Sequence, residues 1–150
     1  MIRDLDPSDR REALQILDLQ MVSYAVEARL IGSRDIPPLK DTVDILRRCD
    51  ESFCGYFVAG RLAGILSYKR DGDVLDIHRL AVHPDHFRTG IARALIEHVE
   101  TAARPASKAT VSTGARNTPA RNLYLRVGFK ETEEVEVVPG LRVVRFEKTL

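Results

Sequence analysis

The sequence predicts an α+β fold, a mixed α/β sandwich in which helices cover both faces of one sheet. Helical spacing of apolar residues in some segments and strand-like alternation in others support this prediction. In the middle of the chain, three strand-like segments follow one another across tight turns, which predicts an antiparallel meander. At 150 residues the chain is long enough for a substantial core, and we expect residues 1–150 to form a single domain.

The N-terminal third predicts one strand and two helices. Residues 2–5 alternate like a strand, after which Asp6 is expected to cap a helix that has Pro7 at its first position. This helix ends at Ile31-Gly32. Its expected buried stripe, widened by Ile16, Leu19 and Val22, contains Leu14, Leu17, Met21, Ala25 and Ala28. Beyond it, Pro37-Pro38 predicts an extended connector, and residues 41–50 predict a second, shorter helix.

The remaining residues alternate between strands and helices. Strands are predicted at 53–59, 62–69 and 74–83, with turns at Gly60-Arg61 and Asp71-Gly72. A helix follows Gly90, because the apolar spacing becomes helical again. The pattern then predicts a strand at 109–113 and a helix at 117–127. Two further strands, at 129–138 and 141–147, are predicted on either side of a turn at Pro139-Gly140.

Composition and charge exclude several functions. The net charge is +1 with neutral histidines, and basic and acidic residues are interleaved, so we expect no nucleic-acid partner. The first residues are charged where a secretory signal needs an apolar run, and no segment approaches the roughly 20 apolar residues of a membrane span. We therefore expect a cytoplasmic protein without a membrane partner, in which Cys49 and Cys54 are reduced thiols.

The segment around Gly90 carries the clearest chemical signal. A strand and a turn at Pro84 lead through Phe87-Arg88-Thr89-Gly90-Ile91-Ala92 into a helix. The first N–H groups of a helix lack internal partners, and small residues let an anion approach them, so this turn suits a phosphate or pyrophosphate. Neither a Walker loop nor a G-x-G-x-x-G fingerprint is present. The alternative is that Gly90 only permits a tight turn between strand and helix.

The run from Leu80 to Ala92 resembles the acetyl-coenzyme A motif of the GNAT N-acetyltransferase superfamily, a strand ending in L-A-V followed by [QR]-x-x-G-x-[GA]. Gly90 and Ala92 match its last two fixed positions, whereas Phe87 replaces the usual Gln or Arg. Arg88, one residue later, is expected to supply a compensating charge. The resemblance implies a mostly antiparallel, splayed sheet, acetyl-CoA as cosubstrate and no metal. The cofactor-binding residues that it implies are Leu80, Ala81, Val82, Phe87, Arg88, Thr89, Gly90, Ile91, Ala92, Asn117 and Tyr124.

A second segment, from Asn117 to Phe129, is similar to the family's N-x-x-A-x-x-L-Y-x-x-x-G-F at every fixed position. Each part also has a local role, since Asn117 can cap a helix, Pro119 suits its first turn and Gly128 suits its end. The resemblance implies that Tyr124 is the general acid for the departing sulfur and that Asn117 binds the pantetheine arm. Main-chain groups of residues 80–82 would hold the same arm, and the N–H of Leu80 or Ala81 would polarise the thioester carbonyl.

The attacking amine must lose a proton, and two residues are candidates for the catalytic base. Asp76 and His78 precede the motif, and strand alternation is expected to place both on one face with Leu80 and Val82. Ordered water is the third alternative. We expect no metal site, because no nearby cysteine completes a zinc pattern with His78, His83 and His86.

The predicted activity is acetyl transfer to a primary amine, with a small molecule favoured over a protein or peptide. A non-catalytic acyl-CoA sensor is the alternative, although binding alone would not require the phenol of Tyr124. In the superfamily the first two helices and the last hairpin select the acceptor, and a carboxylate such as Glu27 or Asp35 facing the thioester would favour a cationic one. The alternative is a solvated, mixed-charge rim made of Glu27, Arg29, Arg34, Asp35, Pro37, Pro38, Lys40 and Asp44. Dimers are frequent in the superfamily, and a homodimer is a further expectation by analogy.

Overall fold

The computed structural model describes residues 1–32, 40–102 and 105–150, in which seven strands form one mixed sheet. The strands are β1 (Ile2–Leu5), β2 (Ser52–Val58), β3 (Arg61–Asp71), β4 (Val74–Val82), β5 (Lys108–Gly114), β6 (Lys130–Val138) and β7 (Leu141–Thr149). Their order across the sheet is β1-β2-β3-β4-β5-β7-β6. β4 and β5 pair in parallel, and the other neighbours are antiparallel. This architecture confirms the predicted fold class.

Helices cover both faces of the sheet. α1 (Arg10–Ile31) and α2 (Val43–Arg48) pack on one face, where Ile16 and Leu46 meet Ile65 of β3. α3 (Ile91–Ala102) and α4 (Thr118–Arg126) pack on the other, around Leu95 and Phe146. None of the helices within the described ranges combines the length and the apolar composition that crossing a bilayer requires. The predicted connector at Pro37-Pro38, and with it Arg34 and Asp35, lies outside the described residues.

α1 begins later than the sequence predicts. Its N-cap is Asp9, whose side chain accepts hydrogen bonds from the N–H groups of Arg11 (2.8 Å) and Glu12 (3.3 Å). Asp6, the predicted cap, instead accepts from the N–H and the hydroxyl of Ser8 and so closes the preceding turn. The prediction of the cap was wrong because an aspartate before a turn and an aspartate before a helix have the same local signature.

The buried face of α1 also differs from the predicted stripe. Leu14 and Val22 are 39% and 45% exposed, whereas Ala13 and Ile16 are completely buried. The same face continues along the helix with the buried polar residues Gln20, Ser23 and Tyr24. Apolar residues occur on several sides of this helix, so their spacing does not decide its orientation. The structure turns a polar stretch inward, towards the sheet.

The predicted meander is confirmed as β2, β3 and β4, which pair in antiparallel order. The turn between β2 and β3 is Ala59-Gly60, one residue before the predicted Gly60-Arg61. Both turn residues have positive φ, 50° and 78°, as a two-residue type I′ hairpin requires.

β4 and β5 separate soon after they begin. They pair only where Val74, Leu75 and Asp76 oppose Lys108, Ala109 and Thr110. Beyond these residues β4 continues beside β3 as far as Val82, while β5 continues beside β7 as far as Gly114. The sheet therefore opens between the second half of β4 and the second half of β5, which is the splayed geometry that the resemblance implies.

Candidate active site

Two voids meet where the sheet opens. A groove of about 870 Å³ runs from the end of β4 past the turn at residues 86–90 and between α3 and α4. A cavity of about 340 Å³ lies between Ile77–Leu80 of β4 and Val111–Gly114 of β5. Among the described residues, four border both voids: Tyr24, Glu27, Leu80 and Tyr124. A molecule lying in the groove and a molecule lying in the cavity would therefore meet at these four residues.

The turn before α3 has an unusual backbone that local hydrogen bonds hold in place. Residues Pro84–His86 form one turn of 3-10 helix, in which His83 Nδ1 accepts from the N–H of Asp85 at 3.1 Å. The Thr89 hydroxyl donates to the carbonyl of His86 at 2.6 Å. Arg88 and Gly90 have positive φ, 61° and 84°. Alternating left-handed residues in such a turn aim successive N–H groups into one concavity, which is a common way of binding an anion.

The start of α3 adds main-chain donors to the same concavity. The N–H of Ala94 donates to the carbonyl of Gly90 at 3.0 Å, so the preceding N–H groups of residues 91–93 have no acceptor within the helix. No side chain of the described residues caps them. A Cβ added to Gly90 would meet no atom of the described residues within 4 Å, so the space that they leave beside this backbone is open. A phosphate has both the donors and the room that it needs here.

The groove carries positive charge at this end. Among the described residues that line it, Arg88, Arg93 and Arg126 are the arginines and Glu27 is the one carboxylate. Phe87, which departs from the family motif, also lines the groove and is 43% exposed, and its ring leaves the space beside Gly90 open. All the predicted cofactor-binding residues border this groove except Ala81, which is buried in the core beside Ile65.

Tyr24 of α1, which no sequence motif pointed to, contacts the edge of β4. The hydroxyl of Tyr24, on α1, accepts from the N–H of Leu80 at 3.2 Å and donates to its carbonyl at 3.4 Å. Tyr24 is buried, and burial raises the pKa of its phenol, which therefore stays neutral. A sequence signal did exist, because Gln20, Ser23, Tyr24 and Glu27 recur at helical spacing on one face of α1.

Asn117 and Tyr124 are held by α4. Asn117 caps the helix as predicted, with Oδ1 accepting from the N–H of Ala120 at 3.3 Å, and its Nδ2 donates to Glu27 Oε1 at 2.8 Å. The ring of Tyr124 packs against Phe129 and Phe146 at centroid distances of 5.8 and 5.4 Å. Burial raises the pKa of Tyr124, and the negative charge of Glu27 raises it further. The Tyr124 hydroxyl has no hydrogen-bond partner among the described residues and is not sealed off from solvent, so it opens onto the voids.

The expected alignment of Asp76 and His78 with Leu80 and Val82 is wrong. Tyr68 of β3 pairs with Ile77 and Ser67 pairs with Arg79, so His78 is an extra residue that forms a bulge in β4. The bulge reverses the alternation, and Asp76 lies on the opposite face from Leu80. Its carboxylate accepts from the hydroxyl of Thr110 at 2.7 Å and pairs with His78 Nε2 at 3.1 Å. His78 borders the cavity, whereas Asp76 borders neither void.

The cavity has the opposite charge from the groove. Its described lining includes three carboxylates, Glu27, Asp41 and Glu51, and the guanidinium of Arg79. Arg79 Nη2 lies 3.4 Å from oxygens of both Asp41 and Glu51. Among the described residues no cationic side chain pairs with Glu27, and burial raises the pKa of its carboxyl even though hydrogen bonds from Asn117 and Thr113 oppose the shift. Such a cavity attracts a cation.

The remaining candidates for chemistry are metal-binding clusters and the two cysteines. No cluster of three or more His, Cys, Asp or Glu residues with metal-binding geometry occurs within the described ranges. Cys49 and Cys54 are both free thiols, as predicted. Burial raises the pKa of the Cys54 thiol to about 12, so this residue is not a thiolate nucleophile at neutral pH.

Comparison with known proteins identifies the class to which this fold and this site belong. Residues 44–150 match the family model described as an acetyltransferase (GNAT) domain. The chain therefore belongs to the GNAT acetyltransferase family. A curated relative, the UPF0157 protein YqkA of Bacillus subtilis (strain 168), is 40% identical over 141 residues, which cover 94% of this chain. The chain spans 41% of the length of that relative.

Solved structures share the whole fold. PaiA N-acetyltransferase from Thermoplasma acidophilum, in complex with coenzyme A, superposes with a TM-score of 0.80 at 17% identity, covering 100% of this chain and 98% of that one. Ribosomal-protein-S18-alanine N-acetyltransferase from Escherichia coli gives a TM-score of 0.76 at 18% identity, covering 99% and 92%. An aminoglycoside 6'-N-acetyltransferase complexed with coenzyme A gives 0.74 at 14% identity, covering 99% and 96%. At these identities the likeness shows the fold.

Proposed function

We propose that this chain is a single acetyltransferase domain that transfers the acetyl group of acetyl-CoA to a primary amine. The observation that carries the proposal is the meeting of two voids of opposite charge at Tyr24, Glu27, Leu80 and Tyr124. The groove combines arginines with main-chain donors, as a diphosphate requires. The cavity is lined by carboxylates, as a cationic amine requires.

Acetyl-CoA fits the groove on three counts. The open space beside Gly90 admits a phosphate to the N–H groups of residues 91–93, and Arg88 adds positive charge. The main-chain groups of Leu80 are bonded to the Tyr24 hydroxyl, so the amides of the pantetheine arm would pair with the edge of β4 at Val82, as an added strand would. Asn117 borders the same path, so we assign it, Leu80, Val82 and residues 87–92 to cofactor binding. When bound, acetyl-CoA supplies an acetyl thioester whose C–S bond breaks as the amine nitrogen bonds to the carbonyl carbon.

Tyr124 is assigned to the leaving group. Its phenol is neutral, because its pKa is raised, and its hydroxyl opens onto the junction of the two voids. A neutral hydroxyl donates a hydrogen bond where negative charge develops on sulfur. Tyr24 has a different role, since its hydroxyl is bonded to both main-chain groups of Leu80 and orients this part of β4.

A small, cationic amine is the proposed acceptor. A cavity of about 340 Å³ is at the small end of the usual range for ligand pockets. Its three carboxylates face one guanidinium, so an ammonium group gains favourable electrostatic energy on entering. The experiment that follows distinguishes this acceptor from a protein or peptide amine, and distinguishes catalysis from acyl-CoA binding alone.

The test combines calorimetry and turnover. Binding of acetyl-CoA is measured first, and release of the coenzyme A thiol is then followed with matched acceptors: a diamine, a monoamine of the same length that carries one positive charge fewer, and a peptide with a free N-terminus. We expect binding, and turnover that is highest with the diamine. Turnover restricted to the peptide would replace the small acceptor with a protein one. Absence of binding would refute the proposed function.

A further inference from the structure

Glu27 occupies the point at which acceptor and donor would meet. It lies near the C-terminal end of α1, and among the four described residues that border both voids it is the only one with a carboxylate. The others contribute two neutral phenols and a leucine backbone. A group that exchanges a proton with an amine in the cavity needs this position, because proton transfer requires contact with the reacting nitrogen directly or through one water.

The contacts of Glu27 leave one carboxylate oxygen available. Oε1 accepts from Asn117 Nδ2 at 2.8 Å and from Thr113 Oγ1 at 3.4 Å. Oε2 has no donor among the described residues and is not sealed from solvent. Two ionisable groups, the phenols of Tyr24 and Tyr124, interact electrostatically with Glu27. The other described ionisable groups that line the same cavity are His78, Arg79, Asp41 and Glu51. The cation of this set, Arg79, is shared between Asp41 and Glu51.

The environment also tunes Glu27 for proton transfer. Burial raises the pKa of its carboxyl, and the bonds from Asn117 and Thr113 offset part of that rise. A carboxylate with a raised pKa is a stronger base and takes a proton from an ammonium group more readily. The base candidates on β4 are less suitable, because Asp76 faces away from the junction and His78 is paired with Asp76.

We infer that Glu27 is the catalytic base of this acetyltransferase, accepting a proton from the acceptor's ammonium group at the junction of groove and cavity. The inference rests on the proposed function. Glu27 takes one ammonium proton on its carboxylate, and the neutral nitrogen can then form its bond to the acetyl carbon. The second proton that nitrogen loses is passed to the departing sulfur through the Tyr124 hydroxyl. Glu27 afterwards releases its proton to solvent through the cavity, so one proton leaves for each acetyl group transferred.

Glu27 and Tyr124 are electrostatically coupled. The negative charge of Glu27 is the second cause of the raised pKa of Tyr124, after burial. When Glu27 becomes protonated, that charge disappears and the pKa of Tyr124 falls. The proton that frees the amine therefore also makes Tyr124 a better hydrogen-bond donor to sulfur.

Glu27→Gln is the variant that tests this role. The amide oxygen of glutamine can still accept from Asn117, so the local structure is retained while the base is lost. With the amine that the wild type acetylates best, we expect kcat/KM to fall about 100-fold and the acidic limb of the pH profile to disappear. Affinity for acetyl-CoA should change less than threefold. The control is Asp18→Asn, which changes an exposed carboxylate on the same helix. This control should leave kcat/KM, its pH profile and the affinity for acetyl-CoA unchanged.

A second measurement does not depend on turnover. In the wild type without ligands, the ¹³Cζ resonance of Tyr124 should show an inflection as Glu27 titrates, at a pH above the ordinary glutamate range. This inflection should be absent in Glu27→Gln. An acidic limb that persists in the variant, or a Tyr124 resonance that does not respond to Glu27, would refute the inference while leaving the proposed function intact. A wild type that binds acetyl-CoA but acetylates no amine would refute both.

Discussion

Replacing Tyr124 with phenylalanine separates the chemistry of this residue from its packing. The ring contacts to Phe129 and Phe146 do not involve the hydroxyl, so they are retained. The hydroxyl has no hydrogen-bond partner among the described residues, and its removal leaves no protein group unpaired. The free energy of unfolding should therefore change by less than about 1 kcal/mol, since the larger penalties arise when a buried partner loses its bond.

The effect on turnover should be much larger. Loss of a hydrogen bond to a group that gains charge during the reaction lowers kcat by about 100-fold, equivalent to about 2.7 kcal/mol of transition-state stabilisation. The assay is release of the coenzyme A thiol at saturating amine, together with calorimetry of acetyl-CoA and urea unfolding. Tyr68→Phe is the control, because Tyr68 lies on β3, is partly buried and borders neither void.

Two outcomes would contradict this reasoning. If kcat of Tyr124→Phe equals that of the wild type, the hydroxyl takes no part in the reaction. If acetyl-CoA affinity and kcat fall by the same factor, or if unfolding shifts by several kcal/mol, Tyr124 shapes the groove and has no role as a donor. The control variant should keep wild-type values in all three measurements.

Four further substitutions test other parts of the site. Gly90→Glu should weaken acetyl-CoA binding at least tenfold relative to Gly90→Ala, because both variants carry the strain of φ +84° and only the glutamate adds negative charge. Equal affinities of the two variants in calorimetry would contradict a phosphate site at this turn. Asp76→Asn should leave the pH profile of kcat/KM unaltered, and a displaced profile would restore Asp76 as a base. Tyr24→Phe should lower the free energy of unfolding, measured in urea, by about 1–3 kcal/mol, because the N–H of Leu80 loses its acceptor. An unchanged urea midpoint would mean that this hydrogen bond does not stabilise the fold. Glu27→Gln should be more stable than the wild type at pH 7, because burying an ionised carboxylate with a raised pKa is unfavourable above that pKa. The difference should vanish below about pH 4, where both side chains are neutral, and a difference independent of pH would contradict it.

The sequence alone determined the parts of this protein that depend on neighbouring residues. The strands of the meander, the helix after Gly90 and the cap at Asn117 follow from spacing and turn chemistry within a few positions. The turn proposed to bind phosphate is local in the same sense, since its N–H groups come from consecutive residues. Local patterns in the sequence therefore predict both the α+β class and the path along which the cofactor is proposed to lie.

Only the tertiary structure decided how the two halves of the site face each other. Glu27 meets Asn117 across 90 positions of the chain, and Tyr24 meets Leu80 across 56. The bulge at His78 appears only when β4 is paired with β3, and that one extra residue turns Asp76 away from the junction. Period-2 alternation holds within an uninterrupted ladder, and the orientation of α1 depends on which of its several apolar sides packs against the sheet. The bulge and the orientation of α1 are both properties of long-range packing, and they are the reason that the proposed base is Glu27 of α1 and not a residue of β4.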